Sequence, residues 1–148
     1  MSENHHFPVT LQLRIDWSEL DYFGHVNNVS FFKYIQAARV NYWEYAGINT
    51  MHRETNVGPM LASSKCDFKQ PLFFPGQVTI HSRVEFIGNT SFGIHHQLMN
   101  DNKEIVAEAH DVMVMFDFGT NKKVAFPAEI RSYIEELENK GFEKSGNF

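Results

Sequence analysis

The 148-residue sequence predicts an α+β fold in which a curved antiparallel sheet wraps around one long central helix. Three features lead to this prediction. A segment of alternating apolar and polar residues opens the chain, a long segment with helical spacing follows, and about four further alternating segments come after it. An antiparallel sheet with one apolar face needs a cover on that face. Because the sequence contains a single long helical segment, we expect the sheet to close around that helix.

The first strand and the central helix have the clearest patterns. Residues 9–17 alternate without a break, which indicates a half-buried strand. Residues 28–46 carry apolar side chains at helical spacing, and Gly47 stands where such a helix would end. A short acidic loop, residues 18–27, joins the two elements. The apolar face of the helix is so broad that we expect it to be buried on several sides.

The second half of the chain returns to a period of two. After a loop that runs through Gly58 and Pro59, the alternation predicts four strands, over residues 60–68, 78–86, 92–99 and 104–118. The residues at 88–89 and 100–102 are typical of tight turns between neighbouring antiparallel strands. A last helix is predicted over residues 127–140.

Composition and charge narrow the class of protein. No repeat or linker appears, so we expect one domain over residues 1–148, with its core at about 8–118. The net charge of −5 offers no basic field for nucleic acid or an anionic membrane, and no apolar stretch is long enough to span a bilayer. A single cysteine excludes an internal disulfide, and the start of the chain lacks the apolar core of a signal peptide. These features predict a cytoplasmic protein.

The loop before the central helix concentrates the groups that can carry chemistry. It places the carboxylate of Asp21, the imidazole of His25 and the carboxamides of Asn27 and Asn28 just ahead of a helix N-terminus. N–H groups there can hold an oxyanion, and a carboxylate beside them can activate water or attack a thioester. Gly24 permits a close approach or a positive φ. The same residues also fit an ordinary loop in which Asn27 or Asn28 only caps the helix.

A family resemblance favours the chemical interpretation of this loop. The string of residues 17–28, followed by the aromatic helix with Ala37, Ala38 and Arg39, resembles the signature of the 4-hydroxybenzoyl-CoA thioesterase-like family of hotdog-fold proteins. The same string also resembles plant acyl-ACP thioesterases, in which an aspartate and a histidine at this spacing are both implicated. The resemblance covers about residues 10–118 and implies the hotdog fold, which is a curved sheet around a central helix.

The resemblance also implies a reaction and its residues. The chain is expected to be an acyl-CoA thioesterase that releases a free acid and the CoA thiol. Asp21 matches the family's catalytic aspartate, as general base or nucleophile, and Asn28 lies near the helix start whose N–H polarises the thioester carbonyl. His25 is expected to assist catalysis, and Gly24 and Asn27 to help bind the substrate. No metal ion or organic cofactor is implied.

Further expectations concern substrate contacts and assembly. Ser64 and Asp67, on the strand after the helix, are expected to face a substrate slot. Hotdog relatives pair helices or extend sheets across a dimer, with the acyl slot at the interface, so a homodimer or homotetramer is expected. Glu19 stands where the family often has aspartate and is expected to be structural. Cys66 is expected to be a small core hydrophobe. Four histidines are expected at the surface or in cross-strand pairs rather than in a metal site: His81, His95, His96 and His110.

Two other functions stay open at this point. The hotdog fold also hosts hydratases and dehydratases, in which four residues separate a catalytic aspartate from a histidine. Here three residues separate Asp21 from His25, which argues against that reaction. A chain that kept the fold and lost the chemistry would be a non-catalytic acyl-CoA-binding protein, and the intact set of Asp21, Gly24 and Asn28 argues against that loss. An acyl-ACP substrate in place of acyl-CoA also stays open.

Overall fold

A computed structural model describes residues 6–143 of the chain. One long helix and five main strands dominate this part, with two shorter helices and a two-residue strand around them. In chain order the elements are β1 (Val9–Arg14), α1 (Asn28–Tyr45), α2 (Ile48–Thr55), β2 (Val57–Phe68), β3 (Gln77–Ile87), β4 (Ser91–Met99), β5 (Ile105–Asp117), β6 (Lys122–Lys123) and α3 (Ala128–Glu138). No helix within this part of the chain is long and apolar enough to cross a membrane.

The strands form one antiparallel sheet in the order β1-β3-β4-β5-β2, and β6 extends β5. Tight turns join β3 to β4 and β4 to β5, as expected. β2 does not continue this series, because it pairs with β5 and not with β3. The segment between β2 and β3 therefore crosses the sheet, and β1 and β2 form its two edges.

The central helix α1 lies on the inner face of the sheet, which confirms the predicted α+β hotdog architecture. Its buried face includes Ile35, Ala38 and Tyr42, each at most 1% exposed. These side chains pack against inward-facing residues of β3, β4 and β5 such as Ile80 and Leu98. Burial of so many apolar groups is the main stabilising contribution to the position of this helix.

Several boundaries differ from the sequence predictions. β1 ends at Arg14 because residues 17–19 form a short 3-10 helix, which is capped by the carboxylate of Asp16. The expected loop through Gly58 and Pro59 was wrong, because the helix α2 begins directly after Gly47 (φ 80°) and Gly58 and Pro59 lie within β2. Ile48 is the only buried residue of this eight-residue helix, so its apolar pattern is too sparse to recognise.

A buried polar network ties α1 to the sheet. The Asp111 carboxylate accepts hydrogen bonds from Arg39 Nε (2.9 Å), His96 Nε2 (2.8 Å) and the Ser64 hydroxyl (2.7 Å). The Ser82 hydroxyl contacts His96 Nδ1 at 2.8 Å. Of the two expected positions for His96, surface or cross-strand, the structure shows the second: the residue is 0% exposed and its ring contacts Ser82 on β3 and Asp111 on β5. His95 and His110 do form a cross-strand pair, with stacked rings 4.5 Å apart.

We expect Asp111→Asn to destabilise the protein at neutral pH by about 3–5 kcal/mol, because the buried Arg39 guanidinium would lose its counter-charge. Burial alone would raise the pKa of Asp111, but hydrogen bonds and charge from His96 and Arg39 offset it and hold the pKa below its ordinary value. A lowered pKa stabilises the fold above the unfolded-state pKa of about 3.9 and loses that effect as the pH falls.

The measurement is urea unfolding at pH 7, 4 and 3, with the exposed Asp67→Asn as control. The gap between the parent and Asp111→Asn should narrow toward acid pH, and the control should stay close to the parent. Equal midpoints for parent and Asp111→Asn at pH 7 would contradict the role assigned to this network.

Candidate active site

The loop between β1 and α1 is closed by its own backbone. Leu20 and Val26 form an isolated antiparallel bridge, and the N–H of Asp21 donates to the carbonyl of His25 at 2.6 Å. Gly24 adopts a φ of +85° at the tip, and its N–H donates to the Asp21 carbonyl at 3.1 Å. A residue with a side chain would be strained at this φ, so the glycine expected to bend the loop does so.

The two carboxylate oxygens of Asp21 are in different environments. Oδ1 accepts hydrogen bonds from the backbone N–H groups of Phe23 (2.9 Å) and His25 (3.0 Å). Oδ2 has no hydrogen-bond partner within residues 6–143, and Asp21 is exposed. One oxygen therefore fixes the orientation of the side chain, while the other is free to contact a water molecule or a reacting atom.

The N-terminus of α1 begins beside this carboxylate. Asn27 is its N-cap, and its side-chain oxygen accepts from the N–H of Ser30 at 2.7 Å. The N–H groups of Asn28 and Val29 have no acceptor among the described residues. Unpaired N–H groups at a helix start carry partial positive charge and can bind a carbonyl oxygen or an oxyanion.

A cleft of about 360 Å³ brings these groups together. Its lining includes the polar residues Asp21, His25 and Asn28 and the aromatic residues Phe31 and Phe68. The rings of Phe31 and Phe68 meet edge to face at 5.2 Å. The cleft therefore offers a carboxylate and a helix N-terminus at one end of an aromatic wall.

The imidazole of His25 is held by the segment that leads to β3. His25 forms an isolated bridge with Phe73, and their rings meet edge to face at 5.1 Å. His25 is half-buried and borders the cleft. The ring is thus oriented by an apolar neighbour and keeps its position beside Asp21.

The other expected substrate-binding residues lie elsewhere. Asn27 acts as the helix cap, and Gly24 shapes the loop. The Ser64 hydroxyl donates a hydrogen bond to the Asp111 carboxylate. The carboxylate of Asp67 is exposed, and its Oδ2 lies 3.9 Å from Lys65 Nζ. Within one chain neither Ser64 nor Asp67 reaches the cleft, and a substrate contact for either stays a prediction.

Part of the cleft wall was not singled out from the sequence. Gln70 and Pro71, just after β2, line the cleft together with Lys69. The crossing of the sheet by this segment brings it beside the loop of Asp21, since the N–H of Val26 donates to the carbonyl of Leu72 at 2.9 Å. The prolines in this segment indicated a break in the strand pattern but not a contact with residues so distant in sequence.

Other chemistries that the residues suggest are excluded by burial. Ser82, His96 and Asp111 form a hydrogen-bonded chain of the type used by serine hydrolases, but they are 1%, 0% and 0% exposed and no substrate can reach them. Burial, with the nearby charges of Asp67 and Asp111, raises the pKa of the Cys66 thiol to about 11. A thiol with this pKa is a poor nucleophile at neutral pH. Residues 6–143 contain no cluster of three or more candidate ligands placed to hold a metal ion.

Comparisons with known proteins agree with this geometry. The family model of the thioesterase-like superfamily matches residues 15–134. The chain belongs to this superfamily. The match spans the loop of Asp21, the central helix and all the main strands after it. The chain is therefore a thioester hydrolase by family. The predicted family resemblance is confirmed.

Individual relatives cover nearly the whole fold. A thioesterase from Thermus thermophilus, solved in complex with coenzyme A and Zn, is 25% identical with a TM-score of 0.80, over 90% of this chain and 96% of that one. A putative thioesterase from Pseudomonas aeruginosa is 27% identical with a TM-score of 0.76, over 84% of this chain and 96% of that one. The long-chain acyl-CoA thioesterase FadM of Escherichia coli is 24% identical over 85% of this chain and 96% of its own length.

The two neighbouring asparagines allow a test of the geometry at the helix start. We expect Asn27→Ala to lower the free energy of unfolding by about 0.5–2 kcal/mol, because it removes the cap on the Ser30 N–H. Asn28→Ala is the matched control, since the Asn28 side chain is exposed and makes no hydrogen bond among the described residues. Urea unfolding of both variants at pH 7 measures the difference. Equal destabilisation by the two variants would contradict the assigned cap.

Proposed function

We propose that this thioester hydrolase acts on acyl-CoA in the cleft of Asp21, His25 and Asn28, and that Asp21 is its catalytic carboxylate. The observation that carries the proposal is the asymmetry of Asp21, whose Oδ1 is fixed by two backbone N–H groups while Oδ2 stays free beside the start of α1. Coenzyme A as the carrier is supported by the coenzyme A complex of the Thermus relative and by the acyl-CoA specificity in the name of FadM.

The first step is recognition of the thioester carbonyl. Its oxygen would accept hydrogen bonds from the N–H of Asn28 and from that of Val29, which have no acceptor in the described part of the chain. These donors sit at the positive end of α1, so they stabilise negative charge that develops on the oxygen. The acyl group would then lie along the aromatic wall formed by Phe31 and Phe68.

The second step breaks the carbon–sulfur bond. In one route Asp21 Oδ2 takes a proton from water, the hydroxide adds to the carbonyl carbon, and the carbon–sulfur bond breaks. The proton on Asp21 then passes to the departing thiolate, so the products are the acid and the CoA thiol. In the other route Asp21 Oδ2 itself attacks the carbon and the thiolate leaves. Water then opens the mixed anhydride, which gives the acid, regenerates the carboxylate and supplies the proton for the thiolate. In both routes His25 orients the water or the carbonyl from the side of the cleft.

A test of the whole proposal uses Asp21→Asn and a panel of acyl-CoA substrates, with release of free thiol as the readout. We expect this variant to remain folded, to bind the acyl-CoA and to lose about 10²–10⁴ in kcat. The side-chain oxygen of asparagine still accepts the N–H groups of Phe23 and His25, so charge and basicity are removed while the loop is kept.

The matched control is Asp101→Asn, an exposed carboxylate in the turn between β4 and β5. Activity of the folded Asp21→Asn variant within about tenfold of the parent would show that another carboxylate acts, and Glu19 and Asp67 would be tested next. Hydration of an enoyl-CoA without thiol release would identify a hydratase instead. Binding without turnover by the parent would identify a non-catalytic acyl-CoA-binding protein.

The proposal extends to a homodimer. β2 is a 12-residue edge strand that pairs with β5 on one side, and Met60, Leu61 and Phe68 along it are exposed by 41–49%. Exposed apolar residues on a long edge strand favour pairing with another strand. A second copy that pairs along β2 would cover them and extend the sheet.

The single cysteine is compatible with the reducing cytoplasm that we propose as the compartment.

Leu61→Lys tests this assembly. We expect light scattering at micromolar concentration to give at least a dimer for the parent and a smaller species for Leu61→Lys, because like charges would meet at the paired edges. Tyr133→Lys is the matched control, since Tyr133 is a similarly exposed apolar residue (46%) on α3. A stable monomer for the parent would remove the shared-interface proposal and leave the chemistry at Asp21 to be tested on its own.

A further inference from the structure

Glu19 joins the candidate active-site loop to the central helix through its side chain. Its Oε1 accepts hydrogen bonds from the Tyr34 hydroxyl at 2.6 Å and from the N–H of Asp16 at 2.9 Å. Its Oε2 lies 3.2 Å from Lys33 Nζ. The side chain is 11% exposed, so these contacts are made by a largely buried carboxylate. One group therefore connects the start of the loop with the second turn of α1.

The backbone of Glu19 makes a second connection to the same helix. Its carbonyl accepts the N–H of Asn27 at 2.9 Å, and Asn27 is the N-cap of α1. The bridge between Leu20 and Val26 follows directly, and Asp21 lies two residues after Glu19. The side chain and the backbone of Glu19 therefore both tie the start of the loop to α1, in addition to the hydrogen bonds between Asp21 and His25.

The protonation state of Glu19 distinguishes it from a group that donates a proton in the reaction. Burial alone would raise its pKa, but hydrogen bonds from Tyr34, the Asp16 N–H and Lys33 offset burial and hold the pKa below its ordinary value. The carboxylate is ionised at neutral pH, so it acts as a hydrogen-bond acceptor rather than an acid. Glu19 is not among the residues that line the cleft.

We propose that Glu19 is a positioning residue that, together with Tyr34, sets the separation between the Asp21 carboxylate and the N–H groups at the start of α1. This inference rests on the proposed function of Asp21. A carboxylate that is displaced from the carbonyl by a small distance still binds the substrate but attacks it poorly. The contact between Glu19 and Tyr34 should consequently affect the chemical step more than substrate binding.

The experiment measures kcat and KM for Glu19→Gln and Tyr34→Phe on the best acyl-CoA of the substrate panel. Glutamine keeps one acceptor oxygen but turns an N–H₂ group toward Lys33 or Tyr34. Phenylalanine removes only the hydroxyl. We expect kcat to fall about 10- to 100-fold in Glu19→Gln, because a misplacement of about 1 Å can cost about 10² in rate. KM should stay within about threefold, and the pH profile should keep its shape because Glu19 transfers no proton.

Coupling between the two variants provides the decisive readout. The double variant should lose little more than the worse single variant, because both changes break the same contact. Glu54→Gln, an exposed carboxylate on α2, is the matched control and should have the activity of the parent. Thermal melting of each variant separates lost activity from lost folded protein, and Tyr34→Phe keeps the test available if Glu19→Gln does not fold.

Three outcomes would overturn the inference: folded variants with kcat within twofold of the parent, an effect on KM alone, or independent and additive losses in the double variant. Each is distinguishable from failure of the proposed function. If Asp21→Asn is impaired and Glu19→Gln is not, only the positioning role is wrong. If Asp21→Asn keeps its activity, the proposed role of Asp21 itself has failed.

Discussion

The fixed position of α1 inside the sheet is the constraint on which the cleft depends. The helix is 18 residues long and its buried face is packed along the inner strands, so it behaves as one rigid element. The buried contact between Arg39 and Asp111, with Nε and Oδ2 2.9 Å apart, adds a polar anchor to the apolar packing. A shift of this helix along its axis would carry the N–H groups at its start away from the loop. Stability and function are therefore linked through the same element.

The loop before α1 assigns separate tasks to chemically similar groups. Of two adjacent asparagines, Asn27 caps the helix, while Asn28 lines the cleft and its N–H has no acceptor among the described residues. The two carboxylate oxygens of Asp21 differ in the same way. Oδ1 accepts hydrogen bonds from the loop backbone, and Oδ2 has no hydrogen-bond partner within residues 6–143. Preorganised groups of this kind need no rearrangement when charge develops in a transition state. The order of the loop is thus consistent with a catalytic role for its exposed atoms.

Much of the fold follows from local sequence patterns, and the exceptions depend on distant contacts. The period of two predicts β3, β4 and β5, and the helical spacing after residue 28 predicts α1 to within a residue. The partner of β2 is not a local property, because an added strand can pair at either edge of a sheet, and β2 lies beside β5, which is distant in sequence. The buried position of His96 has the same origin, since it requires a guanidinium from α1 and a carboxylate from β5 near the same strand. The loop of Asp21 was identifiable because its groups are close in sequence, whereas Gln70 and Pro71 reach the cleft only through the fold.

The environment of Cys66 has a practical consequence for work on this chain. Its pKa of about 11 leaves only about one thiol in a thousand ionised at pH 8. Reagents that detect coenzyme A by reaction with thiolate would therefore react slowly with the protein itself. A continuous colorimetric assay can then run in the presence of the enzyme with a low background. The packing that partly buries this thiol therefore also favours the detection of the released product.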